Sequence, residues 1–558
     1  MNRKSMIALI LAMVTVMSVL AGCGGSGGNS KVDSSKTHLS VLCYDGGIGS
    51  EWAKNAAKRF EEKYANVSFE EGKMGVVIDI TNDKLDGKNG VTTTPYAIWF
   101  TESVNFNELI ATNQIVDISD IVTGSLSEIS DGADTASIED KLAPEFKEAL
   151  TAVNGSYYCV PHYEVYTGLV YDVDLFDEYG YYFSESGSFT AVAEEKTVGP
   201  DGVKGTKDDG LPSSYEELYA LMDQMVADGV VPFTWVGSSE NYVNDLFAGL
   251  QVAYAGKDEF MLNVTFDSSA TDTQATIIES VEGDTPVEQK VTITNENGYL
   301  MTQQAGRYYA FELMEKILSN DSYHTKLDKS TSHLDTQEKF ILSNLKAGEK
   351  PIAMMIEGTY WYNEATEALK RSVNTYKELA EGRRFGWMPL PVQYKGSVTE
   401  GNGRKTTVLE TLNSVAFINA KFKDDAAILD LAKKFLQFCY TDESLVEFSV
   451  TTGLPKCVNY TIPEDKLALI DNYFQKDILD TKMNSDVVYP YSDNPIFVND
   501  QNQFMFNQGS PLWAASYDGR TSTNYYTAFK AGVTAKDYFF ASAMDQETWN
   551  SRYGEYLN

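Results

Sequence analysis

Apolar and polar side chains alternate where the folded part of the chain begins. Leu39, Val41 and Cys43 are separated by polar neighbours, a period of two that predicts a β-strand. The strand runs into Tyr44-Asp45-Gly46-Gly47-Ile48-Gly49, a glycine-rich loop. Ser50 is placed to cap a helix in which Trp52, Ala56, Phe60 and Tyr64 recur every four residues on one face. Residues 76–80 predict a second strand, and residues 96–100 a third that is apolar throughout and buried on both faces. Far downstream, Ile428, Leu431, Ala432, Phe435, Leu436 and Cys439 recur at helical spacing. Strands alternating with helices imply an α/β fold with a parallel sheet covered by helices. Two stretches read as insertions: residues 181–212, dense in Gly, Asp and Ser, and residues 258–299, where Val291-Thr292-Ile293-Thr294 suggests β-hairpins. No internal repeat is visible.

The first residues carry an address. Arg3 and Lys4 precede an uncharged apolar run over residues 6–20, followed by Leu20-Ala21-Gly22-Cys23. The run is too short for a spanning helix and reads as a secretory signal, residues 1–22. The quartet resembles the bacterial lipobox, which implies lipid on Cys23 and a mature chain held on the extracellular face of the cell membrane. Residues 23–36, rich in Gly and Ser, read as a flexible tether. The remaining length suits two large lobes. A content of 43% hydrophobic and 22% charged residues is that of a globular protein. A formal net charge of -35 argues against nucleic acid and against an anionic membrane surface, so the lipid must do the anchoring. Cys43, Cys159, Cys439 and Cys457 remain. They sit at no metal-like spacing, and the sequence leaves open whether they pair or serve as small buried hydrophobes.

Four further segments carry a resemblance. The strand, glycine loop and Trp52 helix are the first. Residues 155–161 (Gly-Ser-Tyr-Tyr-Cys-Val-Pro), continuing to Gly168-Leu169-Val170-Tyr171-Asp172, form the second. The third is residues 346–361, ending Glu357-Gly358-Thr359-Tyr360-Trp361. The fourth runs from Phe385-Gly386-Trp387-Met388-Pro389 through Ser414-Val415-Ala416-Phe417-Ile418 to Gly453-Leu454-Pro455. In this order they resemble the extracellular solute-binding proteins of ABC sugar importers, the maltose-binding-protein-like group. The chain departs from that pattern where Pro95 is followed by Tyr96-Ala97-Ile98 instead of an acidic residue. The resemblance implies a type II periplasmic-binding-protein fold: two α/β lobes, three hinge crossovers near residues 161–165, 410–414 and 455–461, and a ligand cleft between the lobes. Lobe 1 is then residues 37–161 and 412–458, and lobe 2 residues 162–411 and 459–558. It also implies a monomer that hands a carbohydrate to the permease subunits of an ABC importer, without catalysis and without a required cofactor.

A sugar presents hydroxyls around its ring and apolar C–H patches on its faces, so a receptor needs aromatic platforms and polar side chains. Trp361 and Tyr360 follow an apolar strand at the aromatic position of the family, and Trp361 is the first expected platform. Trp235 ends another apolar strand ahead of a polar loop holding Asn241. Tyr163 and Glu164 fall in the first crossover. Tyr44 and Asp45 occupy the carboxyl end of the first strand, where open α/β sheets place ligands. Trp387 and Trp513 complete the candidates. Asp201, Asp208 and Asp209, in a glycine-bearing loop, supply oxygen ligands for a structural calcium, though without EF-hand spacing.

No sequence-local catalytic signature accompanies these features. His38, His162, His324 and His333 stand outside any zinc motif, and the sole G-x-S-x-G match, residues 24–28, lies in the tether. A lipid-anchored glycoside hydrolase, or a binder of peptides or another non-sugar solute, are the alternative readings.

Overall fold

The computed structural model describes residues 33–557 except 86, 88–89, 103, 153, 239–241, 326–329, 347, 393–404, 412–413 and 501–523. Cys23, Asn241 and Trp513 therefore lie outside the described residues. In chain order, the elements that frame the fold begin with β1 (Thr37–Tyr44), α1 (Glu51–Lys63), β2 (Val76–Asp83), β3 (Ile98–Thr101) and β4 (Cys159–Pro161). Next come β5 (Thr167–Asp172), β6 (Val231–Thr234), α2 (His333–Ser343), β7 (Ile352–Gly358), α3 (Trp361–Glu364) and β8 (Phe385–Met388). The chain then adds β9 (Val415–Ile418), α4 (Ala426–Phe438), α5 (Asp442–Thr452) and α6 (Tyr473–Asn484).

Two main sheets result, ordered β2-β1-β3-β9-β4 and β8-β5-β7-β6. Neither is purely parallel as expected from the sequence. β1 is parallel to β2 and β3, but β9 is antiparallel to β3 and β4. In the second sheet β5 is antiparallel to β7 and β8, while β6 is parallel to β7. The cause lies in the connections. β5 and β9 each begin directly at a crossover from the other lobe, so they must run away from the edge at which their neighbours end.

The packing follows the periodicity. Trp52, Ala56 and Phe60 of α1 are buried against Leu39 and Val41 of β1 and Leu431 and Phe435 of α4. The Phe60 ring lies 5.2 Å from Phe435 and 5.4 Å from Phe438 in edge contacts. Each such side chain contributes about 1.5–3 kcal/mol by leaving water. Cys43, Cys159, Cys439 and Cys457 are free thiols in this core, and burial pushes Cys439 up to about 12. The stretch 258–299 does contain a hairpin, but its strands are Ala275–Glu282 and Thr285–Val291, ahead of the residues that suggested it. Ile293 instead plugs a third, smaller core with Phe266 and Trp549.

The three crossovers lie side by side. Residues 162–166 take hydrogen bonds on one flank from Thr411 N to Val165 O (3.1 Å) and give His162 N to Ser414 O (2.9 Å). On the other flank Glu164 N donates to Pro455 O (3.0 Å) and Cys457 N to His162 O (3.3 Å).

Candidate functional site

The strand directions decide where a ligand can sit. β1 and β3 end at one edge of the first sheet, and Val415 of β9, paired with Thr101 and Pro161, starts there. That edge carries Tyr44, Asp45, Glu102, His162 and Ser414. In the second sheet Gly358 at the end of β7 pairs with Thr167 at the start of β5, and β6 ends beside them. The short segment between Pro161 and Thr167 joins the two edges, so the carboxyl ends of both sheets face one seam, the usual ligand position of open α/β sheets.

Glycine lets the seam close. A Cβ on Gly46 would collide with the Glu102 carboxylate, and one on Gly47, whose φ is +91°, with Glu364 of α3 in the other lobe. The Gly46-Gly47 backbone thus passes between two carboxylates from opposite lobes. Tyr163 donates its hydroxyl to Glu102 Oε1. Burial raises the Glu102 carboxyl to about 7 against the opposing Tyr163 hydrogen bond, and the charges of Glu364 and Asp45 add to the rise. Burial also raises Glu364, while Gln337 on α2 holds its carboxylate through Nε2 at 3.0 Å. Elsewhere along the seam Asn363 Nδ2 donates to Thr452 O at 2.8 Å, and Gln475 Nε2 reaches the same carbonyl at 3.2 Å.

Several expected site residues sit elsewhere. Trp361 is fully buried, its ring 5.1 Å from Phe385, 5.4 Å from Phe474 and 5.9 Å from Phe340. It offers no face to a sugar, because the first turn of α3 directs it into the lobe core, away from Tyr360. Tyr360 itself, 5% exposed, stands where β7 ends, at the second-lobe edge. Trp235 is 1% exposed and packs on His324 at 5.0 Å, and Trp387 is buried within β8. Both are core residues. Glu164 is buried and bound by Lys482 Nζ (2.5 Å), the Tyr489 hydroxyl (2.6 Å) and the Tyr166 hydroxyl, so it anchors the crossover instead of awaiting ligand hydroxyls. Tyr163, 1% exposed, presents its hydroxyl to Glu102; Tyr44 and Asp45 remain half-exposed at the seam.

The acidic loop also departs from expectation. Asp201 Oδ1 accepts Val203 N (2.7 Å), Asp208 Oδ2 accepts Asp201 N (2.9 Å), and Asp209 Oδ2 accepts Gly205 N (2.9 Å). Each carboxylate serves its own loop, and among the described residues no group of three His, Cys, Asp or Glu side chains could hold a metal ion.

Sequence reasoning missed Glu102, Glu364 and Gln337. A signal existed for the first, which directly follows a strand end. Glu364 and Gln337 join the site only through the packing of α2 and α3.

A model of the bacterial extracellular solute-binding proteins matches residues 46–445. The chain belongs to that family. It is a family of binding proteins, and no helix among the described residues is long and apolar enough to cross a membrane. A solved chitin oligosaccharide binding protein is similar over 93% of this chain and 99% of its own, with a TM-score of 0.50 and 12% identity. That likeness shows the two-lobed fold of this solute-binding protein. No curated protein sequence matches it.

Proposed function

We propose that this solute-binding protein captures a carbohydrate, an oligosaccharide, in the seam between its lobes and delivers it unchanged to the permease of an ABC importer. The observation that carries this reading is the seam itself. Carboxylates and tyrosines from both lobes meet where both sheets end, across three adjoining crossovers that allow the lobes to hinge. Carboxylates accept hydroxyl protons and Tyr360 and Tyr44 supply ring faces, the two surfaces a sugar needs. A ligand touching both lobes stabilises the closed form that membrane subunits recognise. Lipid on Cys23 holds the monomer at the outer face of the cell membrane while the tether gives it reach.

A thermal-shift screen over mono- and oligosaccharides tests this. A bound sugar at 100 times its Kd adds about 2.7 kcal/mol and raises Tm, and the sugar is recovered intact. Shortened products would make the protein a glycoside hydrolase, and a response to peptides alone would make it a receptor for another solute.

A further inference from the structure

We infer that the sugar taken into the seam carries protonated amino groups: the ligand is an oligomer of an amino sugar. This rests on the carbohydrate reading above and narrows it. Asp45 and Glu102 from the first lobe and Glu364 from the second influence one another electrostatically across the Gly46-Gly47 backbone. Lys84 and His333 are the cationic groups that reach them. Closing the lobes therefore concentrates negative charge that two surface side chains only partly offset.

A second observation points to an absent donor. Gln337 is fully buried, spends its Nε2 on Glu364, and leaves its Oε1 without a hydrogen-bond partner. A buried amide oxygen lacking a donor costs about 1–3 kcal/mol, so this end of the seam is short of donors as well as of positive charge. A shared metal ion is not the remedy, because no three of these side chains converge closely enough to hold one. Neutral hydroxyls would satisfy the acceptors and leave the charge in place. An ammonium does both, with three donors and a compensating charge. Spacing the amines along a sugar chain matches carboxylates that are set apart instead of clustered.

The test is calorimetry of the full chain, freed of its signal, with three β-1,4-linked tetramers: glucosamine, N-acetylglucosamine and glucose. Spermidine serves as a fourth ligand, an amine without a ring. The glucosamine tetramer should bind at least tenfold more tightly than either neutral tetramer and weaken at least threefold between 20 and 200 mM salt. Glu364→Gln should erase most of that preference, with an unchanged circular dichroism spectrum confirming the fold. Equal or tighter binding of a neutral tetramer overturns the amino-sugar assignment while leaving the carbohydrate reading intact. Binding of spermidine alone, or of none of the four, removes the carbohydrate reading and this assignment with it.

Discussion

Nζ of Lys456 lies 2.7 Å from Nδ1 of His162, and both side chains are buried at the meeting of the first and third crossovers. The amine is surrounded by rings: Phe448 at 4.6 Å, Trp52 at 4.9 Å, Tyr440 at 5.1 Å and Phe100 at 5.4 Å. Burial lowers Lys456 to about 7, and burial together with the lysine charge holds His162 well below its usual value.

This pair predicts a pH dependence with a definite sign. The unfolded chain keeps the lysine proton up to the ordinary 10.5, whereas the folded chain releases it near 7. Stability therefore rises with pH above 7 and is lost as pH falls through 7. Between pH 7 and 8.5 the gain should be roughly 1–2 kcal/mol. Lys456→Met should be flat over this window and at least as stable as the parent at pH 7. Urea midpoints at the two pH values decide; parallel slopes in parent and variant would contradict the assignment.

Glu102 should act in the opposite sense. Its folded carboxyl is raised to about 7 from 4.5. Its contribution is present below 4.5 and fades as pH climbs through 7. Glu102→Gln should thus be more stable than the parent at pH 8 by about 1–3 kcal/mol, read from denaturant curves. An equal loss at pH 5 and pH 8 would show that some other contact dominates.

Glu164 and Lys482 form a buried ion pair. Replacing Glu164 by Gln strands the lysine, and unfolding should become easier by about 3–5 kcal/mol. The double variant Glu164→Gln, Lys482→Met should recover a good part of this. Binding in surviving protein should change little, since Glu164 is occupied by its own chain.

Trp361 and Tyr360 should separate cleanly. Trp361→Ala removes a fully buried indole and should cost about 3–5 kcal/mol of stability. Trp361→Phe should leave the Kd for the bound sugar within twofold. Tyr360→Ala should weaken binding at least tenfold with a smaller change in Tm. Calorimetry and thermal melts on the same samples distinguish these; the reverse ranking would return Trp361 to the ligand.

Chelator should leave Tm unchanged, because Asp201, Asp208 and Asp209 already accept donors of their own loop. A fall of several degrees on adding EDTA would mean that an ion braces the loop.

Local pattern made the framework legible. The alternation at Leu39, Val41 and Cys43 marks β1, and the Ile428–Cys439 periodicity matches α4 to within two residues at its start. These signals survive because burial repeats at the period of the element itself. The site was harder to read. Whether Tyr360 or Trp361 faces the seam depends on how one short turn leaves β7, and adjacent residues in a sequence give no sign of that. Trp235 and Trp387 look like platforms because large aromatics suit both a sugar face and a core. Glu164 reads as a free acceptor until Lys482 and Tyr489 arrive from distant helix and loop. Such partners are fixed by tertiary packing, which periodicity does not encode.

The three crossovers, bonded edge to edge as a narrow ribbon, set the mechanics of the molecule. A ribbon flexes readily about the line across its strands but resists shear, since sliding one strand would break several bonds together. The lobes accordingly have one soft direction, opening and shutting like a book, and stiff resistance to twisting, so successive closures return the same side chains to register.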